Sequence, residues 1–97
     1  MARHRLTIQA KTDFKGISAY IAQFNHSASK RTVKELRRVC REIIASSPNI
    51  GTMCPEIGAG VRCFSVGNYI IVFRGSNPVE ILRVLHGAID WKNTPII

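Results

Sequence analysis

The sequence predicts an α+β fold in which a helical hairpin packs on one face of an antiparallel sheet, with the element order β-α-α-β-β-β. Two observations support this prediction. In the first half of the chain, apolar residues recur at steps of three and four, the period of an amphipathic helix. In the second half, β-branched and aromatic runs alternate with Gly, Asn and Pro turns. We expect a single domain over residues 1–97, because two separate cores would each be too small to be stable.

Two helices are predicted in the first half. Residues 3–7 are a short strand candidate, and Thr7 can cap a helix over residues 8–24. Residues 28–46 form the second predicted helix, with Ser27 as its N-cap. Two ion pairs of i,i+4 spacing are expected on that helix, Arg31–Glu35 and Arg38–Glu42.

Three strands are predicted after a loop that is rich in Pro and Gly over residues 48–60. Residues 61–66 and 69–74 flank Gly67-Asn68, which is a two-residue hairpin signal. Residues 79–86 form the third strand, which is almost continuously apolar and is therefore expected to be central in the sheet.

The register of these strands decides which side chains share a face of the sheet. The register is expected to place Val66 opposite Tyr69, and Arg74 opposite Val79. Alternation then puts Leu82 on the same face as Phe73, and Ile81 on the other face. Neither face is purely polar, so we expect part of the open face to be covered, and an exposed apolar patch there to mark a partner site.

Composition excludes several classes of protein. No run approaches the ~18 apolar residues that a membrane span needs, and no apolar core follows the basic N-terminus as it would in a secretory signal. We therefore expect a cytoplasmic protein without a membrane segment.

The cysteines Cys40, Cys54 and Cys63 are an odd number without a Cys-x-x-Cys pair or a His at ligand spacing. Such a set indicates neither a zinc site nor a disulfide framework. Cys40 and Cys63 are expected to be packing residues, and Cys54 falls in a loop where it can be exposed. No metal or organic cofactor is indicated.

The net charge of +8 is concentrated in the first half of the chain. Residues 1–47 contain ten Lys and Arg against three Asp and Glu, a net charge of +7, and the remainder carries +1. This asymmetry predicts a polyanionic or acidic partner. Five cations form a stripe on the second predicted helix: Lys30, Lys34, Arg37, Arg38 and Arg41. The stripe is either a solvated face, a docking surface for an acidic protein segment, or a phosphate contact. Sequence-specific DNA binding is not indicated, since no recognition helix is evident.

Short strings spread over nearly the whole chain form a recognisable set. They are Leu6-Thr7 followed by Ala10 and Asp13-Phe14, Ile17-x-x-Tyr20-Ile21-Ala22, Ser47-Pro48-x-x-Gly51, Gly60-Val61-Arg62-x-Phe64, Val66-Gly67-x-Tyr69-x-Ile71, and Ile81-Leu82-Arg83-Val84-Leu85-His86-Gly87-Ala88-x-Asp90. In this order and at these spacings they resemble the ParE branch of the ParE/RelE toxin superfamily. The resemblance implies a RelE-like fold and a toxin of a type II toxin–antitoxin system, of the plasmid-stabilisation kind. It also implies a ParD-like antitoxin whose C-terminal segment wraps the helices and the sheet.

The same resemblance implies DNA gyrase, a type II topoisomerase, as the target. RelE relatives instead cut mRNA on the ribosome, with basic strand residues and with Arg and a terminal Tyr or His after the last strand. Here Arg62 fits the first strand position, but the next residue on the same face is Phe64, and Ile70 stands where an Arg is expected. Residues 91–97 contain neither Tyr nor His. The sequence therefore favours a non-enzymatic inhibitor.

Two alternatives stay open. One is a ribonuclease that uses Arg62, Arg83 and His86. The other is an inactive toxin that serves only as an antitoxin partner and corepressor, since Ile89 stands where ParE sequences have an Arg.

The candidate contact residues fall into two groups. For the target they are Arg62, Arg74, Arg83, His86 and Trp91. For the antitoxin they are Ile17, Tyr20, Phe24, Lys34, Arg37, Arg38, Arg41 and Tyr69. Several have a structural alternative. Arg83 can pair with Glu80, Asp90 or a strand end, and Arg62 and Arg74 can be solvated strand residues. His86 can fix a turn by a hydrogen bond, and Tyr69 can be a packing residue of the hairpin.

Overall fold

The computed structural model describes residues 3–87, which form two helices and five strands. The helices are α1 (Ile8–Ala22) and α2 (His26–Arg38), and α2 continues as a π-helical segment over Val39–Ile44. The strands are β1 (His4–Leu6), β2 (Thr52–Met53), β3 (Arg62–Val66), β4 (Tyr69–Arg74) and β5 (Val79–His86). The predicted α+β class and order of the main elements are confirmed, and β2 is an additional short strand inside the predicted loop.

The five strands form one sheet in the order β1-β5-β4-β3-β2. Neighbouring strands are antiparallel except β1, which runs parallel to β5 with His4 opposite Val79 and Leu6 opposite Ile81. The sheet is therefore mixed, whereas the sequence predicted an antiparallel one. The reason is that β1 leads directly into the helical layer and pairs with the last strand, a long-range choice that local sequence does not encode.

The helix ends follow from their capping side chains. As predicted, the Thr7 hydroxyl accepts a hydrogen bond from the Ala10 amide at 3.1 Å and caps α1. The N-cap of α2 is Asn25, whose side-chain oxygen accepts from the Ala28 amide at 2.9 Å, so the prediction of Ser27 was wrong. Asn25 has the extended backbone that an N-cap requires, while Ser27 already lies in the first turn.

The two expected ion pairs on α2 have different outcomes. Arg38 lies 3.4 Å from Glu42, as predicted. The pair Arg31–Glu35 is not found within residues 3–87, because Glu35 instead accepts two hydrogen bonds from Arg38. Arg38 is thus held by carboxylates on both sides.

A β-bulge between β4 and β5 changes the predicted faces of the sheet. Val66 lies opposite Tyr69 as expected, but Arg74 lies opposite Glu80 and not Val79. The register shifts between Val72 and Phe73, which leaves Leu82 as the extra residue on β5.

Ile81 consequently joins the cluster under the helices, and Leu82 the cluster on the other side of the sheet, the reverse of the prediction. The larger cluster includes Phe14 and Leu36 from the helices and Phe73 from the sheet. The smaller one contains Cys54, Val61, Val72, Leu82 and Leu85. Ile57 from the loop after β2 packs against this second cluster, so that loop covers part of the open face.

We predict that Gly51→Ala destabilises the fold by about 2–3 kcal/mol. Gly51 has φ +83°, and an added Cβ would collide with the main-chain carbonyl of Cys63. Gly16→Ala is the matched control: Gly16 lies in α1 with nothing within 4 Å of an added Cβ, so we expect it to stabilise by about 0.5–1 kcal/mol. Urea unfolding of the three proteins measures both effects. Equal midpoints for Gly51→Ala and the parent chain would contradict the prediction.

Candidate functional site

The exposed face of α2 and of its π-helical continuation carries four cations that line one groove of about 470 Å³ together with Ser18 and Val33. We call these cations the basic stripe: Lys30, Lys34, Arg37 and Arg41. Among residues 3–87 the only carboxylate near any of them is Glu42, 3.9 Å from Arg41. The fifth predicted member, Arg38, lines the same groove but is paired with Glu35 and Glu42. The stripe therefore presents positive charge that the described part of the chain hardly neutralises.

Two observations show how the stripe is fixed and what field it produces. The guanidinium of Arg37 lies over the ring of the core residue Phe14, 4.7 Å from its centroid. This contact holds the Arg37 side chain against the core. The pKa of His4 is lowered from 6.5, first by burial and then by the charges of Arg41 and Arg37. His4 thus reports the positive potential of the stripe.

A second surface lies where α1 meets the ends of β4 and β5. We call it the aromatic groove; it has a volume of about 380 Å³ and is lined by Gly16, Ile17, Tyr20, Tyr69 and His86. Tyr69 and His86 face each other across the two strands, with ring centroids 5.4 Å apart in an edge-to-face arrangement. Tyr20 is 64% exposed and contacts the ring of Phe24, which is 74% exposed. Exposed aromatic rings of this kind are typical of protein-binding surfaces.

The three candidate arginines of the sheet are each engaged inside the chain. Arg62 donates hydrogen bonds to the carbonyl oxygens of Asn49, Ile50 and Gly51 at 2.6, 3.0 and 3.2 Å. It therefore clamps the segment that follows the helical layer onto β3. Arg74 lies 3.3 Å from a carboxylate oxygen of Glu80.

Glu80 is shared by two arginines, since Arg5 of the neighbouring strand contacts its other oxygen at 2.8 Å. The hydrogen bond from Arg5 lowers the pKa of Glu80 below its usual value, and the hydrogen bond from Arg74 lowers it by a smaller amount. Glu80, one of the partners that the sequence suggested for Arg83, is therefore paired with Arg5 and Arg74 instead.

Arg83 is bound by Asp13 of α1, a partner that the sequence did not indicate. Its Nε and Nη2 donate to the two carboxylate oxygens at 2.7 and 2.9 Å, and the Val84 amide donates to the same carboxylate at 2.9 Å. The hydrogen bond with Asp13 also raises the pKa of the Arg83 guanidinium. This bidentate pair joins the helical layer to the sheet.

The predicted contact residues thus collect on different parts of the molecule. Ile17, Tyr20 and Tyr69 from the antitoxin group meet in the aromatic groove together with His86 from the target group. Lys34, Arg37 and Arg41 lie in the basic stripe. Arg62, Arg74 and Arg83 lie on three different strands. Trp91 lies outside the described residues, as do Ile89 and Asp90.

Residues 3–87 contain no group of three or more His, Cys, Asp or Glu side chains that could hold a metal ion. Neither helix of this part of the chain has the length and apolar character that crossing a bilayer demands.

The family model described as "ParE toxin of type II toxin-antitoxin system, parDE" matches residues 5–91. The chain belongs to the ParE toxin family. The curated protein "Toxin ParE1" of Caulobacter vibrioides is 31% identical over 93 residues, which cover 95% of this chain and 96% of that protein. A solved structure titled "Chromosomal ParDE TA system from P. aeruginosa" superposes with a TM-score of 0.70 at 21% identity, over 89% of this chain and 96% of the other. The resemblance to ParE is therefore confirmed, and this ParE-family chain is a toxin of the parDE type.

We predict that the imidazole of His4 titrates below 6.5 and that Arg41→Gln raises its pKa more than Arg37→Gln does. NMR titration of the ring protons measures this, and Arg31→Gln is the control on the same helix. Because the folded pKa is depressed, the unfolded chain binds the proton more readily. Stability is therefore lost as the pH falls from 6.5 through the folded pKa. A His4 pKa that none of the three substitutions changes would contradict a positive field at the stripe.

Proposed function

We propose that this ParE-family toxin acts in the cytoplasm by binding DNA gyrase, and that a ParD-like antitoxin neutralises it. In this proposal the toxin inhibits a type II topoisomerase without catalysing a reaction itself. The family match over residues 5–91 is the observation that carries the proposal, because gyrase is the target that ParE membership implies.

The engagement of the sheet arginines supports inhibition by binding over RNA cleavage. A ribonuclease needs cations that face the scissile phosphate and a group that accepts the proton of the 2′-hydroxyl. Arg62 and Arg83 instead direct their donors at carbonyl oxygens and at Asp13. Turning Arg83 toward a substrate would leave the half-buried Asp13 carboxylate without its guanidinium partner, and turning Arg62 would release residues 49–51 from β3.

The basic stripe and the aromatic groove support an acidic, partly apolar segment as the antitoxin element. Carboxylates of such a segment would pair with Lys34, Arg37 and Arg41, and an apolar side chain would enter the groove beside Tyr20. Both surfaces include residues of α1, since Ser18 lines one and Tyr20 the other. In this proposal the antitoxin segment crosses α1 to reach from one surface to the other.

The first test is a supercoiling and cleavage assay with purified gyrase and the purified toxin, with and without its antitoxin. We expect inhibition with trapped cleaved plasmid at micromolar toxin, relieved by the antitoxin. Arg74→Gln probes the target contact and Arg5→Gln is its matched control, because each leaves Glu80 with one arginine. A folded toxin that leaves gyrase unaffected but cuts mRNA in a translation extract would overturn the proposal in favour of the ribonuclease.

The antitoxin contact is tested by two variants of the toxin. We expect Lys34→Gln with Arg41→Gln to weaken antitoxin binding about tenfold and to flatten its salt dependence. Tyr20→Ala should weaken it about tenfold to a hundredfold without changing the salt dependence.

The charge-matched control is Lys11→Gln with Arg74→Gln, which alters net charge equally outside both surfaces. Isothermal titration at two salt concentrations measures all three proteins. Equal loss in the control would show that net charge, and not the basic stripe, governs binding.

A further inference from the structure

Cys54 and Cys63 lie side by side at the edge of the sheet although nine positions separate them in sequence. Thr52 of β2 pairs with Cys63 of β3, and the Cys54 amide donates to the Val61 carbonyl at 2.9 Å. This ladder brings the two Sγ atoms to 3.0 Å. A disulfide has an S–S length of about 2.05 Å, so the sulfurs need to close by roughly 1 Å.

The two thiols also differ in access. Cys54 is 6% exposed and packs in the smaller core cluster, while Cys63 is half-buried beside it. Cys40 lies in the other cluster, under the helices, and is buried. A small disulfide-containing oxidant therefore reaches Cys63 first. Of the described cysteines, Cys54 is the only other one close enough to form a disulfide with Cys63.

We propose that Cys54 and Cys63 are a redox modification site at which a reversible intramolecular disulfide forms. The oxidant is a low-molecular-weight disulfide such as glutathione disulfide. The Cys63 sulfur attacks one sulfur of glutathione disulfide, which forms a mixed disulfide and releases one glutathione thiolate. The Cys54 sulfur then attacks the Cys63 sulfur and displaces the second glutathione. Two electrons pass to glutathione, and the two thiol protons leave with the two glutathione molecules or to solvent.

The reduced pair is protected from rapid oxidation at neutral pH. Burial raises the pKa of Cys63 to about 12, so little of the reactive thiolate is present. The rate of oxidation should therefore rise with pH, by about tenfold per pH unit below that pKa. The site responds to sustained oxidising conditions and not to brief contact with an oxidant.

The disulfide would fasten the segment that Arg62 already holds. Residues 49–51 accept the three hydrogen bonds of Arg62, and Cys54 ends this segment three residues later. A crosslink from Cys54 to β3 closes the loop that covers the open face of the sheet. Closing a loop of this size should raise the Tm by about 5–10 °C.

The test uses the full chain, reduced with dithiothreitol and then incubated with excess glutathione disulfide at pH 8. We expect intact mass spectrometry to show a loss of about 2 Da, with one cysteine alkylated by iodoacetamide in denaturant where the reduced chain has three. Dithiothreitol should restore both the mass and the lower Tm. Peptide mapping should assign the crosslink to Cys54 and Cys63.

Single variants separate this pair from other outcomes. The Cys40→Ser variant should still show the mass loss of about 2 Da. The Cys54→Ser variant should instead keep one glutathione bound to Cys63 as a mixed disulfide and show no rise in Tm. Three alkylated cysteines after equilibration, a stable glutathione adduct on the parent chain, or a disulfide-linked dimer would each overturn the proposal. The measurements on the parent chain and Cys40→Ser decide it even where the Cys54 variant does not fold.

Discussion

The carboxylate of Asp13 fixes how the helices sit on the sheet. It accepts two hydrogen bonds from Arg83 and one from the Val84 amide, next to the bulge at Leu82. Six residues earlier, Thr7 caps α1 and donates its hydroxyl to the Leu82 carbonyl at 2.8 Å. The bulge therefore has its irregular backbone satisfied by α1 at two points. A half-buried, bidentate pair of this kind is costly to break from one side, because the remaining charge loses its partner, so the pair favours one docking of α1.

That docking determines which parts of α1 remain available to partners. Ala10 and Phe14 are pressed into the core one turn from each other, and the helix rests on β5 through them. Tyr20, near the C-terminal end of α1, and Phe24, just after it, both stay exposed. The aromatic groove has α1 as one wall and the ends of β4 and β5 as the other. Its shape therefore depends on the contacts of Asp13 with Arg83 and Val84, which hold α1 on the sheet.

Local sequence predicted what depends on local physics. The helical period, the Thr7 cap and the Gly67-Asn68 hairpin each involve neighbouring residues, and each is present in the structure. The parallel pairing of β1, the Asp13–Arg83 pair and the contact of Cys54 with Cys63 are set by packing between distant segments. The bulge is the instructive case, since one extra residue reversed the faces of Ile81 and Leu82. The candidate site was predicted as separate residues, and the fold decided which of them meet.

The cations of this toxin divide into those that hold the fold and those that can serve a partner. Arg83 has 18% of its side chain exposed and is bound by Asp13, while Arg62 donates to three carbonyl oxygens. A partner that recruited either arginine would break a contact that joins two segments of the fold. Arg74 is different, because Glu80 keeps Arg5 when Arg74 turns away. Of the three sheet arginines proposed for target contact, Arg74 is therefore the one that a partner can recruit at the smallest cost to the fold. The basic stripe needs no such exchange, since its four residues are exposed and, within residues 3–87, only Arg41 lies near a carboxylate.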